Sequence, residues 1–137
     1  MSTGVGIRID HLGIAVESIA AARGFYEALG LSVLHEETVE HEGVRVAMLP
    51  LGESRVELLE PLGLETVVGR FLSKRGPGLH HVAVHVDDIE AVWKELHARG
   101  VTRVSPAIQT GAGGHLYFFV HPKSTGGVLL EVCQEPA

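Results

Sequence analysis

The chain lacks the features that would place it in several large classes. It has one cysteine, Cys133, so no intrachain disulfide can form and cysteine-rich zinc modules are excluded. It has no basic excess: 11 Lys and Arg stand against 17 Asp and Glu, a formal charge of −6. That balance argues against a nucleic-acid binder, whose footprint is a basic surface. No apolar run is long enough to span a bilayer. Met1 to Asp10 carries no apolar core of a secretory signal. The expectation is a soluble, cytoplasmic protein with no membrane or nucleic-acid partner. Apolar residues at 45% and charged residues at 20% are ordinary for a globular chain and unlike a disordered one. A length of 137 residues suits one domain, or two small modules sharing a core. Nine histidines and 17 glycines stand out.

An internal repeat organises the chain. Asp10-His11-Leu12-Gly13-Ile14-Ala15-Val16 aligns with His80-His81-Val82-Ala83-Val84-His85-Val86 at an offset of 70. The same offset carries Ser18-Ile19 onto Asp88-Ile89 and Gly30 onto Gly100. In each copy an alternating strand ends at an N-cap residue, a helical pattern follows (Ile19–Leu29, Ile89–Ala98), and a glycine stands at the C-cap. Apolar, β-branched runs come next: Leu31–Leu34, Val44–Leu51 and Arg55–Leu59, then Val101–Val104, Leu116–Val120 and Val128–Val132. Each half therefore reads β-α-β-β-β. The reading is one domain with module 1 over about 7–62, a linking helix over about 63–76 and module 2 over about 78–135.

Strand alternation puts His11 on a face with Ile9, Gly13 and Ala15, and His81 on a face with Ala83 and His85. Glu57 and Glu131 lie on the last strand of each half among Leu and Val. A carboxylate within an apolar strand is costly to bury unless paired or bound to metal. A single strand histidine is more often a hydrogen-bonded core residue, and a single strand-end glutamate is usually solvated. Matched His and Glu pairs in one repeat frame shift that balance towards a site. If a pseudo-twofold relates the modules, His11, Glu57, His81 and Glu131 form a mixed N/O set suited to Co²⁺, Mn²⁺, Ni²⁺, Zn²⁺ or Mg²⁺. His80 points to the face opposite His81, and His85 lies too far along the strand to be a ligand. His35, His41 and His97 read as surface residues, and His115 and His121 flank the last apolar strands, where they read equally as cavity-lining or as surface residues. Gly111-Ala112-Gly113-Gly114 fits neither a P-loop nor a Rossmann pattern and reads equally as a hairpin loop. His121 to Gly127 reads as a turn in which Lys123 could meet an anionic group.

At these residues the sequence resembles the vicinal oxygen chelate superfamily, and within it the methylmalonyl-CoA epimerases. The matching segments are Asp10–Val16, Glu57-Leu58-Leu59-Glu60-Pro61-Leu62, Gly78-Leu79-His80-His81-Val82-Ala83, and His121-Pro122-Lys123-Ser124 through Gly127–Glu131. The resemblance implies an α+β fold of two pseudo-symmetric βαβββ modules forming a curved sheet around a metal-containing cleft. It implies His11, Glu57, His81 and Glu131 as ligands to a divalent metal, Co²⁺ first among the candidates, with Gln or Glu tolerated at position 57. It implies a homodimer of propionate metabolism acting on a small CoA thioester, (S)/(R)-methylmalonyl-CoA, through an enolate. Glu131 is the candidate acid/base; His121 and Lys123, with Lys74 and Arg75, are candidate substrate contacts. Some bacterial members carry a second acid/base glutamate in the strand after the first helix; Val46 occupies the matching position here. A glyoxalase I-like isomerase of a glutathione hemithioacetal needs the same metal and proton transfer, and a drug-binding protein or a purely structural dimer module could share the fold. The His-Pro-Lys and Glu-Leu-Leu-Glu-Pro segments favour the epimerase.

Overall fold

The computed structural model describes residues 6–135, which divide into two compact units: His11–His80, and residues 6–10 with 81–135. The first unit is built from β1 (Arg8–Ala15, from His11 onward), α1 (Ile19–Ala28), β2 (His35–Val39), β3 (Val44–Leu51), β4 (Ser54–Pro61) and α2 (Val67–Arg75). Its strands lie in the order β2-β3-β4-β1, with β1 parallel to β4 and the other pairs antiparallel. Ser18 stops β1 and caps α1, its hydroxyl accepting from Ala21 N. At the other end Gly30, at φ +96°, takes the left-handed turn that a Cβ would oppose. Alternation then sorts the strand residues. Ile14, Ala47, Leu49, Val56 and Leu58 pack with Ile19, Ala22 and Tyr26 of α1 as an aliphatic core.

The second unit repeats the plan with β5 (Gly78–His85, from His81 onward), α3 (Ile89–Ala98), β6 (Gln109–Thr110), β7 (Leu116–Val120) and β8 (Leu130–Gln134). The strand order is β5-β8-β7-β6, with β5 parallel to β8. Asp88 caps α3 through its carboxylate on Ala91 N, and Gly100, at φ +71°, follows the helix. Val84, Phe118, Val120 and Val132 pack with Ile89, Val92, Trp93 and Leu96. The Trp93 and Phe118 rings meet edge to face at 4.9 Å.

Both halves thus follow the β-α-β-β-β order read from the sequence, with local corrections. The strand after α1 is the polar run His35–Val39 rather than Leu31–Leu34. Leu31 N bonds back to Tyr26 O at the helix end, and Leu31 and Val33 turn onto the α1 core. In the second unit Val101–Val104 forms only a bridge between Arg103 and Val120, and the edge strand is the two-residue β6. Within the stretch 63–76 expected for the linking helix, α2 runs from Val67, with Thr66 capping it on Gly69 N. β8 begins at Leu130, two residues later than the apolar run. Among the described residues no helix is long and apolar enough to cross a membrane.

Candidate functional site

Each unit carries one of the repeat-related His–Glu pairs on the sheet face turned away from its helix. In the first unit β1 pairs with β4 so that Gly13 lies opposite Glu57, two residues along from His11 and on the same face. Both side chains are buried, with His11 Nε2 3.7 Å from Glu57 Oε1. In the second unit Ala83 lies opposite Glu131, and His81 Nε2 approaches Glu131 Oε1 to 3.0 Å. These side chains are buried too. Each buried imidazole–carboxylate pair supplies one nitrogen and one hard oxygen with no thiolate, donors of the kind that a borderline divalent ion takes. Such pairs also answer the cost of burying a carboxylate in an apolar strand.

The surroundings of the two pairs differ. On the Glu57 face of β3 stand Met48, directly opposite Glu57, and Val46, opposite Leu59. Val46 is buried, so this position presents an isopropyl group and no proton carrier. In the second unit Phe119 lies opposite Glu131 in the β7–β8 register, and its ring stands edge-on to the His81 imidazole at 5.3 Å. Tyr117 packs on Phe119, and both join Ala83 and Cys133 in a small cluster on that face. Phe119 was missed in the sequence. Its alternation within Leu116–Val120 would have found it once β7 was aligned against β8.

The remaining histidines sort themselves. His80 leaves β5 on the other face and packs edge-on against Phe71 of α2 at 5.0 Å. His85 is buried on the His81 side, and its Nε2 faces Asp87 Oδ1 at 3.5 Å. His35, His41 and His97 are exposed, as read. His121 and Lys123 lie exposed in the 3-10 turn Pro122–Ser124, where His121 Nδ1 accepts from Lys123 N. The His121 ring therefore caps this turn, while the Lys123 ammonium extends from it.

The model of the Glyoxalase/Bleomycin resistance protein/Dioxygenase superfamily matches residues 10–119. Human mitochondrial methylmalonyl-CoA epimerase is 36% identical over 129 residues, covering 93% of this chain and 73% of that protein. The ethylmalonyl-CoA/methylmalonyl-CoA epimerase of Cereibacter sphaeroides is 36% identical, covering 93% of this chain and 97% of its own. A solved methylmalonyl-CoA epimerase in complex with methylmalonyl-CoA and NH4+ superposes with a TM-score of 0.90 at 38% identity, covering 95% of each chain.

Proposed function

The chain belongs to the Glyoxalase/Bleomycin resistance protein/Dioxygenase superfamily, and from that membership we propose that it is an isomerase interconverting (S)- and (R)-methylmalonyl-CoA through an enolate. One observation carries the reading. A buried His–Glu pair is repeated in both halves of a chain that matches methylmalonyl-CoA epimerases over 93–95% of its length.

His11, Glu57, His81 and Glu131 would be the ligands to a divalent ion, Co²⁺ first among Mn²⁺, Ni²⁺, Zn²⁺ and Mg²⁺. When bound, the ion supplies Lewis acidity that stabilises the charge developing on the thioester oxygen as the C2 proton leaves. Glu131 takes the proton from one face of C2 and is the base of the reaction. Phe119 stands opposite Glu131 with Tyr117 packed on it, so the carboxylate has aromatic neighbours on β7. Val46 supplies no acid, so the proton delivered to the other face comes from another residue or an ordered water. Lys123, exposed beside β8, is the proposed partner for an anionic group of CoA; Lys74 and Arg75 at the end of α2 are further cations in reach of solvent. His121 contributes by holding the Lys123 turn. We further propose module boundaries at about 62 and 78, a cytoplasmic homodimer and a role in propionate metabolism.

The test is epimerisation of single-isomer methylmalonyl-CoA in D₂O by the metal-loaded protein. Deuterium at C2 and loss of turnover on chelation are expected. Conversion without deuterium at C2 would exclude the enolate route. Full turnover in a demonstrably metal-free sample would exclude the metal. Mixing His11→Ala with Glu131→Ala subunits should give no recovery if each chain builds its site from its own residues; recovered turnover would show that sites are shared between chains.

A further inference from the structure

A second group of metal-ligating side chains lies in the unit formed by residues 6–10 and 81–135. Asp10, His115 and Glu135 each bring a nitrogen or carboxylate oxygen within 4.8 Å of the others. Asp10 follows from β1 alternation: it leaves the strand on the face opposite its neighbour His11. Asp10 is buried, with only 3% of its surface exposed. His115 and Glu135 stand just beyond the paired residues Leu116 and Gln134, at the same end of β7 and β8. The loop before His115 fixes the imidazole. Gly111 N donates to His115 O at 2.8 Å, and Gly113, at φ +67°, leaves so little room that a Cβ there would lie 3.3 Å from His115 Nδ1. His115 Nε2 is buried, whereas Glu135 is exposed and gives the cluster an opening to solvent.

We propose that Asp10, His115 and Glu135 form a divalent-cation site, separate from the His11/Glu57/His81/Glu131 set and not used by the epimerisation. One nitrogen and two carboxylate oxygens suit Zn²⁺, Co²⁺ or Mn²⁺ and disfavour Ca²⁺, which takes oxygen ligands. Donors held about 2.1 Å from a tetrahedral ion are roughly 3.4 Å apart, so closing on the ion needs side-chain movements of about 1 Å. Three protein donors leave a position for water, and the half-open geometry makes the ion exchangeable. Its place in the chain gives it a consequence. Residue 10 lies in the first strand and residue 135 just after the last, so an ion here cross-links the two ends of the described chain. Binding to the folded state alone raises stability with ion concentration.

The experiment titrates the metal-loaded protein with Zn²⁺ by calorimetry and follows thermal unfolding across the same concentrations. One further Zn²⁺ per chain is expected, with a rise of a few degrees in the unfolding temperature. Glu135→Gln, an exposed change that leaves the fold alone, and His115→Ala should each weaken that event at least tenfold and remove the thermal shift. Glu57→Gln should leave both in place. The proposal is overturned if no further ion binds. It is also overturned if the further ion binds equally well to the wild type and both variants, which would mark an adventitious ion only. Either outcome leaves the epimerase reading untouched, because that rests on other residues.

Discussion

The two halves share a plan and differ in how tightly they hold it. The His–Glu pair of the first unit is 3.7 Å apart beside Met48 and Val46; that of the second is 3.0 Å apart with Phe119 set edge-on to the imidazole. One half offers a looser pair among flexible aliphatic groups, the other a closer pair backed by an aromatic ring. The difference suits the proposed division of labour, in which Glu57 is a ligand and Glu131 a ligand and the base. The helix N-termini teach a second lesson. Ile19 N of α1 donates to the carboxylate of Glu60 at 2.8 Å, and Ile89 N of α3 donates to the amide oxygen of Gln134 at 2.7 Å. The caps are reversed in charge, neutral Ser18 in the first unit and anionic Asp88 in the second. Each helix start therefore has one carboxylate bonded to its backbone N–H groups, from the last strand in one half and from the cap in the other, and α3 carries Glu90 in its first turn as well. A carboxylate placed there is favoured by the positive end of the helix dipole.

The sharpest way to break the comparison is at the two carboxylates. Glu131→Gln, with metal bound, should lower turnover by about 10²–10⁴-fold, the usual worth of general acid–base catalysis. Glu57→Gln should lose far less, since an amide oxygen still serves as a ligand. Equal losses measured at saturating metal would remove the division of labour. The cores come next. Phe118→Ala should cost about 3–5 kcal/mol and Leu58→Ala about 2–5 kcal/mol in urea unfolding, the first being larger because it also strands Trp93. The caps follow: Ser18→Ala and Asp88→Ala should each cost about 1 kcal/mol. Smallest is the charge exchange. Asp88→Ser should cost about 0.3–1 kcal/mol, and adding Gln134→Glu should return most of it by copying the first unit's arrangement. If the double variant is no more stable than Asp88→Ser alone, the two positions do not share one charge.

Much of this was legible in the residues because period and repeat reinforce each other. Ser18 and Asp88, Gly30 and Gly100, and His11 and His81 fall in register at an offset of 70, and Glu57 and Glu131 follow at 74, so helices, caps and candidate ligands could be placed without a structure. The strand after α1 was misplaced because hydrophobicity alone cannot separate a segment that folds back onto a helix from one that joins a sheet. Leu31 and Val33 are apolar for the helix core, while the edge strand His35–Val39 is polar because one edge faces water. In the second half the same position shrinks to Gln109–Thr110, too short for any periodicity to register. At the candidate site, residue types and faces were readable, but the tighter His81–Glu131 contact was not. It depends on the β5–β8 register, which sets Ala83 opposite Glu131, while the β7–β8 register adds Phe119 beside the pair. The Glu60 and Gln134 ties were hidden for the same reason, since each spans more than 40 residues of chain.

The membership of residues 6–10 in the same compact unit as 81–135 has a topological consequence for engineering. In the native order that unit is written in two pieces, with the whole of the other unit inserted between them. A circular permutant opened at Gly76-Pro77-Gly78, with a linker joining residue 135 to residue 6, would write each unit as one uninterrupted stretch. The linker has to run from residue 135 to residue 6, roughly four strand residues from Asp10, whose side chain lies near that of Glu135. Permutation is best tolerated where old ends are close and new ends fall at a surface junction. The rearranged gene would carry the second unit first, ending in residues 6–10, and run from there into the first.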